Sequence, residues 1–143
     1  MLKKILILFL VQLILIAKLS YGENIIIIGK VGNVIITNYD VKKETTYLKI
    51  LNSSLSNLEN KKIFEIGKNS LSNELIKKKE LEKFFDFKKE NSFLEQIFQN
   101  FYKDLGLKNE NEFKKYLSIN KTYSVDEIKE KLKIEIMWNQ LIY

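Results

Sequence analysis

The chain of 143 residues has no cysteine, no histidine and no proline, and all 24 of its basic residues are lysine. Without cysteine there is no disulfide, thiol nucleophile or thiolate metal site; without histidine there is no imidazole base or nitrogen ligand. Most hydrolytic and redox mechanisms are closed. A pair of carboxylates could still act as acid and base, but the acids sit mostly among lysines at helical spacing, the pattern of a solvated face. Neither enzymatic activity nor a cofactor or metal is expected. Arginine, which makes bidentate contacts to phosphates and bases, is missing. Lys77-Lys78-Lys79 and Lys88-Lys89 lie beside Glu74, Glu80, Glu82 and Glu90, so no basic face is concentrated enough for nucleic acid. Ala17 is the single alanine, while Ile, Lys and Asn dominate. That usage is expected of an AT-rich coding sequence and discounts the lysine runs further. Glycine signatures for phosphates and dinucleotides are absent, because Gly29-Lys30-Val31-Gly32 lacks their spacing. There is no linker, low-complexity block or fixed-period repeat.

What is present begins with the first 22 residues. Two lysines within Met1 to Lys4 precede the run Ile5 to Ala17, interrupted only by Gln12, and Ser20 and Gly22 put small residues at −3 and −1 of a cleavage site. This order predicts a secretory signal peptide over residues 1–22, cleaved between Gly22 and Glu23. The apolar run stops at Lys18, short of the ~20 residues that span ~30 Å of hydrocarbon. No membrane span is expected after cleavage. Lys3, Lys4 and Lys18 leave with the leader, so 21 lysines face 18 acids in the mature chain, a charge of +3 rather than +6. Residues 23–143 are enough for one modest core.

The mature part reads as mainly α, with a short hairpin at its start. β-Branched runs, Ile25 to Val31 and Val34 to Ile36, flank Gly32-Asn33, which predicts a hairpin with a primed turn. Thr37 with Asp40 predicts a capping box opening a helix over 38–51. A second helix is expected from about Asn60 to Phe85, its lysines facing water. Gly67 falls on its inward step, which suggests close approach by another helix. The third, from about Ser92 to the stop at Gly106, sets Phe93, Leu94, Ile97, Phe98, Phe101, Tyr102 and Leu105 on one broad stripe. Asn109 with Glu112 and Ser124 with Glu127 open two further helices. The last carries Val125, Ile128, Leu132 and Ile136 on one face. From Ile134 onward its apolar residues, Trp138 and Leu141 among them, point all round the axis, which predicts further protein packed there.

In order, these parts resemble the SurA family of periplasmic chaperones and peptidyl-prolyl isomerases, whose mature chains open with a string matched here by Val31, Gly32, Ile36, Thr37, Asp40 and Val41. Leu71 to Ile76 is similar to the family's "L-I-[DN]-E-x-L" helix, with Ser72 departing from isoleucine, and Glu112-Phe113 with Leu117 to its "E-F-x-x-x-L". The stretch Ile128 to Ile142, with Trp138, resembles the helix that leads into the first parvulin domain. No parvulin pattern follows, so isomerase activity is not carried over. The resemblance implies an open helical chaperone-type domain that holds unfolded outer-membrane proteins in the periplasm of a Gram-negative bacterium without ATP. Client contacts are expected at Phe98, Phe101, Tyr102, Leu105, Trp138 and Leu141, with Phe101 the more structural and Tyr102 and Trp138 nearer the client. Two alternatives stay open: a secreted helical subunit docked on one partner, and the non-catalytic part of a longer isomerase.

Overall fold

A computed structural model describes residues 24–89 and 93–143; the expected signal peptide and its Gly22/Glu23 cleavage site lie outside them. The chain is mainly helical, with one antiparallel hairpin followed by five helices. Strands β1 (Ile27–Val31) and β2 (Val34–Thr37) pair through Val31↔Val34 across the two-residue turn Gly32-Asn33. Of these two residues Gly32 alone has a positive φ, +59°, as a type II′ turn requires at its first position. A bulge at Ile28 lets Ile27 pair with Thr37 and Gly29 with Ile36.

The hairpin runs straight into helix α1 (Asn38–Leu51), within the expected bounds. Thr37 Oγ1 accepts from the Asp40 amide at 3.2 Å, and the Asp40 carboxylate accepts from the Thr37 amide at 2.8 Å, closing the capping box. The strand entry is tied to the same corner, because Asn38 Oδ1 accepts from the Ile26 amide at 2.8 Å. A single turn of 3₁₀ helix, Ser53–Asn57, leads to α2 (Asn60–Leu81). That helix stops four residues before the expected Phe85. The chain turns after Leu81 so that Phe85 and Phe87 fold back onto a cluster with Leu81, Ile134 and Met137, leaving Phe84 exposed. Gly67 is the point of closest approach: a Cβ there would lie 2.6 Å from Thr45 Cγ2 and 3.2 Å from the Val41 carbonyl.

Helix α3 spans Leu94–Asp104, α4 Glu110–Ile119 and α5 Val125–Ile142. Their starts follow the expected caps for α4 and α5. Asn109 Oδ1 accepts from the Glu112 amide, although the Glu112 carboxylate takes the Lys108 amide instead of closing a box; Ser124 and Glu127 do close one. Helices α3 and α4 both end in left-handed turns, at Gly106 (φ +79°) and at Lys121 (φ +50°). In each the amide of the left-handed residue and that of the residue after it donate back to carbonyls of the last helical turn, Gly106 and Leu107 to Lys103 and Tyr102, and Lys121 and Thr122 to Ser118 and Leu117. The main core gathers Tyr47, Phe98, Tyr102, Phe113, Leu117 and Ile128, with Phe98 edge-on to Tyr102 at 5.4 Å and to Phe113 at 5.7 Å.

The expectation that the α2 lysines face water holds for Lys61, Lys62 and Lys79, which are exposed, and is corrected for Lys77 and Lys78, which are half-buried. Lys77 pairs with Glu135 at 2.7 Å and Lys78 with Glu130 at 2.5 Å, so both lysines lie along α5. Apolar periodicity within α2 carries no information about acids on another helix.

Candidate functional site

Inside the junction of α1, α2 and α5 the expectation of solvated acids also fails. Glu44 is 1% exposed and Lys131 7%. Every oxygen of Glu44 is occupied: Oε1 accepts from Ser70 Oγ at 2.6 Å, Oε2 from Tyr123 Oη at 2.6 Å and from Lys131 Nζ at 2.9 Å. Lys131 Nζ also binds the Glu74 carboxylate and lies 4.4 Å from the centre of the Tyr123 ring and 5.3 Å from that of Tyr47. One ammonium therefore serves two carboxylates. Burial pushes Glu74 above the usual carboxylate range, against the lowering effect of Lys131 and with further raising by Glu44 and Glu130. Burial, then the nearby Glu44, also raises the Tyr123 and Tyr47 hydroxyls. Glu44 is a structural anchor with a donor on each oxygen and three in all, and it lines one cleft, whereas Glu74 lines two adjoining ones.

The cleft on the hairpin side has a volume of about 200 Å³. Val34, Ile36, Leu71 and Leu75 give it an apolar wall, and Asp40, Lys43, Glu74 and Glu127 its polar end. Lys43 pairs with Glu127 at 2.6 Å while lying over the Tyr123 ring. Partial burial raises the Glu127 carboxyl, but the bonds from Lys43 and Ser124 outweigh this and hold it below its ordinary range. Beside the cleft the hairpin is bare: Ile25, Ile26, Val34 and Ile35 are exposed, and Ile27 is 66% exposed. The sheet has two strands and no third among the described residues.

No family model, no curated protein and no solved structure matches this chain.

The six residues expected to touch clients divide between two places. Phe98, Phe101, Tyr102 and Leu105 belong to the aromatic core, Phe98 at 0% and Tyr102 at 8% exposure. Phe101 and Leu105 pack around that core half-buried. Burial thus reverses the expected order, with Tyr102 inside and Phe101 nearer the surface. Trp138 and Leu141 lie half-buried on the second cluster, where Lys77 Nζ stands 5.8 Å from the Trp138 ring centre. The two sets do not converge on one site. Sequence reading missed Glu44, Glu74, Lys131 and the hairpin surface. A signal for two of them exists: Glu44 stands three residues after Val41, and Lys131 three after Ile128 and three before Ile134, so each charge sits on its helix's apolar face. Among the described residues no helix is long and apolar enough to cross a membrane, and no trio of side chains could hold a metal ion.

Proposed function

We propose that this chain is a periplasmic, ATP-independent holdase module of the SurA type, which binds unfolded outer-membrane proteins through its hairpin surface as well as through half-buried aromatics. The observation that carries the reading is the bare apolar hairpin. Five large aliphatic side chains are exposed along the hairpin and the two residues leading into it, with Ile27 and Ile35 on the outer face, Val34 on the other, and Ile25 and Ile26 just before β1; bare apolar surface of that kind marks an interaction site. An unfolded barrel strand is extended and alternates apolar with polar side chains. It can lay its apolar side on the isoleucines, worth ~25 cal/mol per Å² buried, and offer its backbone to an open strand edge without sequence preference. Such contacts are weak and reversible, as a holdase requires. The family-like string from Gly29 to Val41 falls on this hairpin, cap and first helical turn, which adds support.

Light scattering tests the proposal. The purified protein, in modest molar excess, is expected to suppress aggregation of an outer-membrane barrel protein diluted from urea. A variant carrying Ile27→Ser and Ile35→Ser should lose most of that suppression while keeping its helical circular dichroism, since exposed positions change stability by only about 0.5 kcal/mol. No suppression by the unaltered protein would end the reading. Full suppression by the double variant would move the client surface off the hairpin.

A further inference from the structure

We propose that the cleft between β2, α2 and Tyr123 is a subsite for one lysine or arginine side chain of the held polypeptide. The inference rests on the holdase reading and adds a preference to it. At about 200 Å³ the cleft is smaller than the ~300–1,000 Å³ of small-molecule sites, and it is built in two parts that match a long cationic side chain. Val34, Ile36, Leu71 and Leu75 would receive an aliphatic stem, and the polar end would receive its charged head.

The charge balance at that end is what selects a cation. Lys43 and Glu127 neutralise each other at 2.6 Å. Lys131 is shared between Glu44 and Glu74, which leaves one negative charge over, and Asp40 adds another while it caps α1 through Thr37. The locus therefore holds four carboxylates against two ammonium groups, in a chain whose expected mature part has 21 lysines against 18 acids. Glu74 accepts from Lys131 alone among the described residues, and it lines the cleft. A second donor arriving from the cleft side would complete its coordination and offset the burial that raises its pKa. The cleft opens beside the exposed Val34 and Ile35, so a strand lying on the hairpin passes its mouth.

The experiment uses three labelled, extended peptides that differ only at the central position: lysine, norleucine or glutamate. Binding to the purified protein is followed by fluorescence anisotropy. The lysine peptide is expected to bind about tenfold more tightly than the norleucine one, the size of a charge-assisted hydrogen bond, and the glutamate peptide most weakly. Glu74→Gln should bring the lysine and norleucine affinities together without changing the norleucine value. Should that variant fail to fold, as circular dichroism would reveal, salt supplies a second measure: in the unaltered protein added salt must narrow the lysine-to-norleucine ratio. Equal affinity for lysine and norleucine peptides, or a parallel loss for all three in Glu74→Gln, would overturn the subsite and leave the holdase reading standing. Failure to bind any of the three would remove both.

Discussion

Helix α5 is held to the rest of the domain by two junctions that differ in kind, although they lie within one turn of each other. At Ile128 the contact is mainly apolar and aromatic: Phe98, Phe113, Tyr102 and Leu117 gather with it, and the nearest charge to their rings is Lys129 Nζ, 4.6 Å from the Phe98 ring centre. At Lys131 the contact is ionic, and Glu44, Glu74, Tyr123 and Tyr47 surround a single ammonium. The first derives its strength from area and shape, so its cost of damage scales with volume removed. The second depends on charge balance. A buried pair contributes little over an apolar replacement, yet removing one partner strands the other. The ionic junction is also incomplete, with two acids on one lysine, and it borders the cleft where a ligand could complete it. The two junctions are thus separable by what damages them, lost volume in the first and lost charge in the second.

The largest effect is expected from the aromatic junction. Phe113→Ala, at a fully buried position in contact with the Phe98, Phe101 and Tyr102 rings, should cost roughly 3 to 5 kcal/mol, read as an earlier urea midpoint or outright loss of helical circular dichroism. Lys131→Met breaks the comparison from the other side. It leaves Glu44 and Glu74 buried without their cation and should cost about 3 kcal/mol, while adding Glu44→Gln and Glu74→Gln to it should recover most of the loss. A single Lys131→Met that unfolds no earlier than the unaltered protein would show that the junction is not held by charge.

The smallest effect, and the one that separates the junctions most cleanly, is in pH. Glu74 has a folded pKa above its ordinary 4.5, so its contribution to stability is fully present below 4.5 and is lost as pH rises through the raised value. Followed upward from pH 4.5, the melting temperature of the unaltered protein should fall further than that of Glu74→Gln. Leu117→Ala, which alters only the aromatic junction, should keep the unaltered slope. Identical slopes for all three would detach Glu74 from the pH dependence.

Much of the framework was legible along the chain. Thr37 with Asp40, Asn109 and Ser124 with Glu127 act as helix caps where their spacing predicts. The turn at Gly32, the stop at Gly106 and the close approach at Gly67 are likewise where glycine indicated them. These signals are local: a cap bonds an amide two or three residues away, a turn needs one residue that tolerates positive φ, and both conditions can be checked against the sequence alone. The left-handed Lys121 shows the limit of such signals, because there the conformation occurs without the glycine that would announce it.

What the candidate site contains was far less legible, for a physical reason that reaches across the whole fold. An amphipathic pattern states that a face is inward but not what meets it. The broad stripe of α3 was visible, yet only the arrival of Phe113 from α4 and Ile128 from α5 decided that Phe98 and Tyr102 are core and Phe101 more peripheral. Glu44 and Lys131 lie 87 positions apart, and each alone looks like an ordinary charge on a lysine- and glutamate-rich helix. The sequence by itself determined where the helices and the hairpin start and turn, since those choices depend on neighbours within a few residues. Only the tertiary structure decided which acids are buried, which lysines bridge helices and which isoleucines stay bare, because burial is set by the element that packs from elsewhere in the chain.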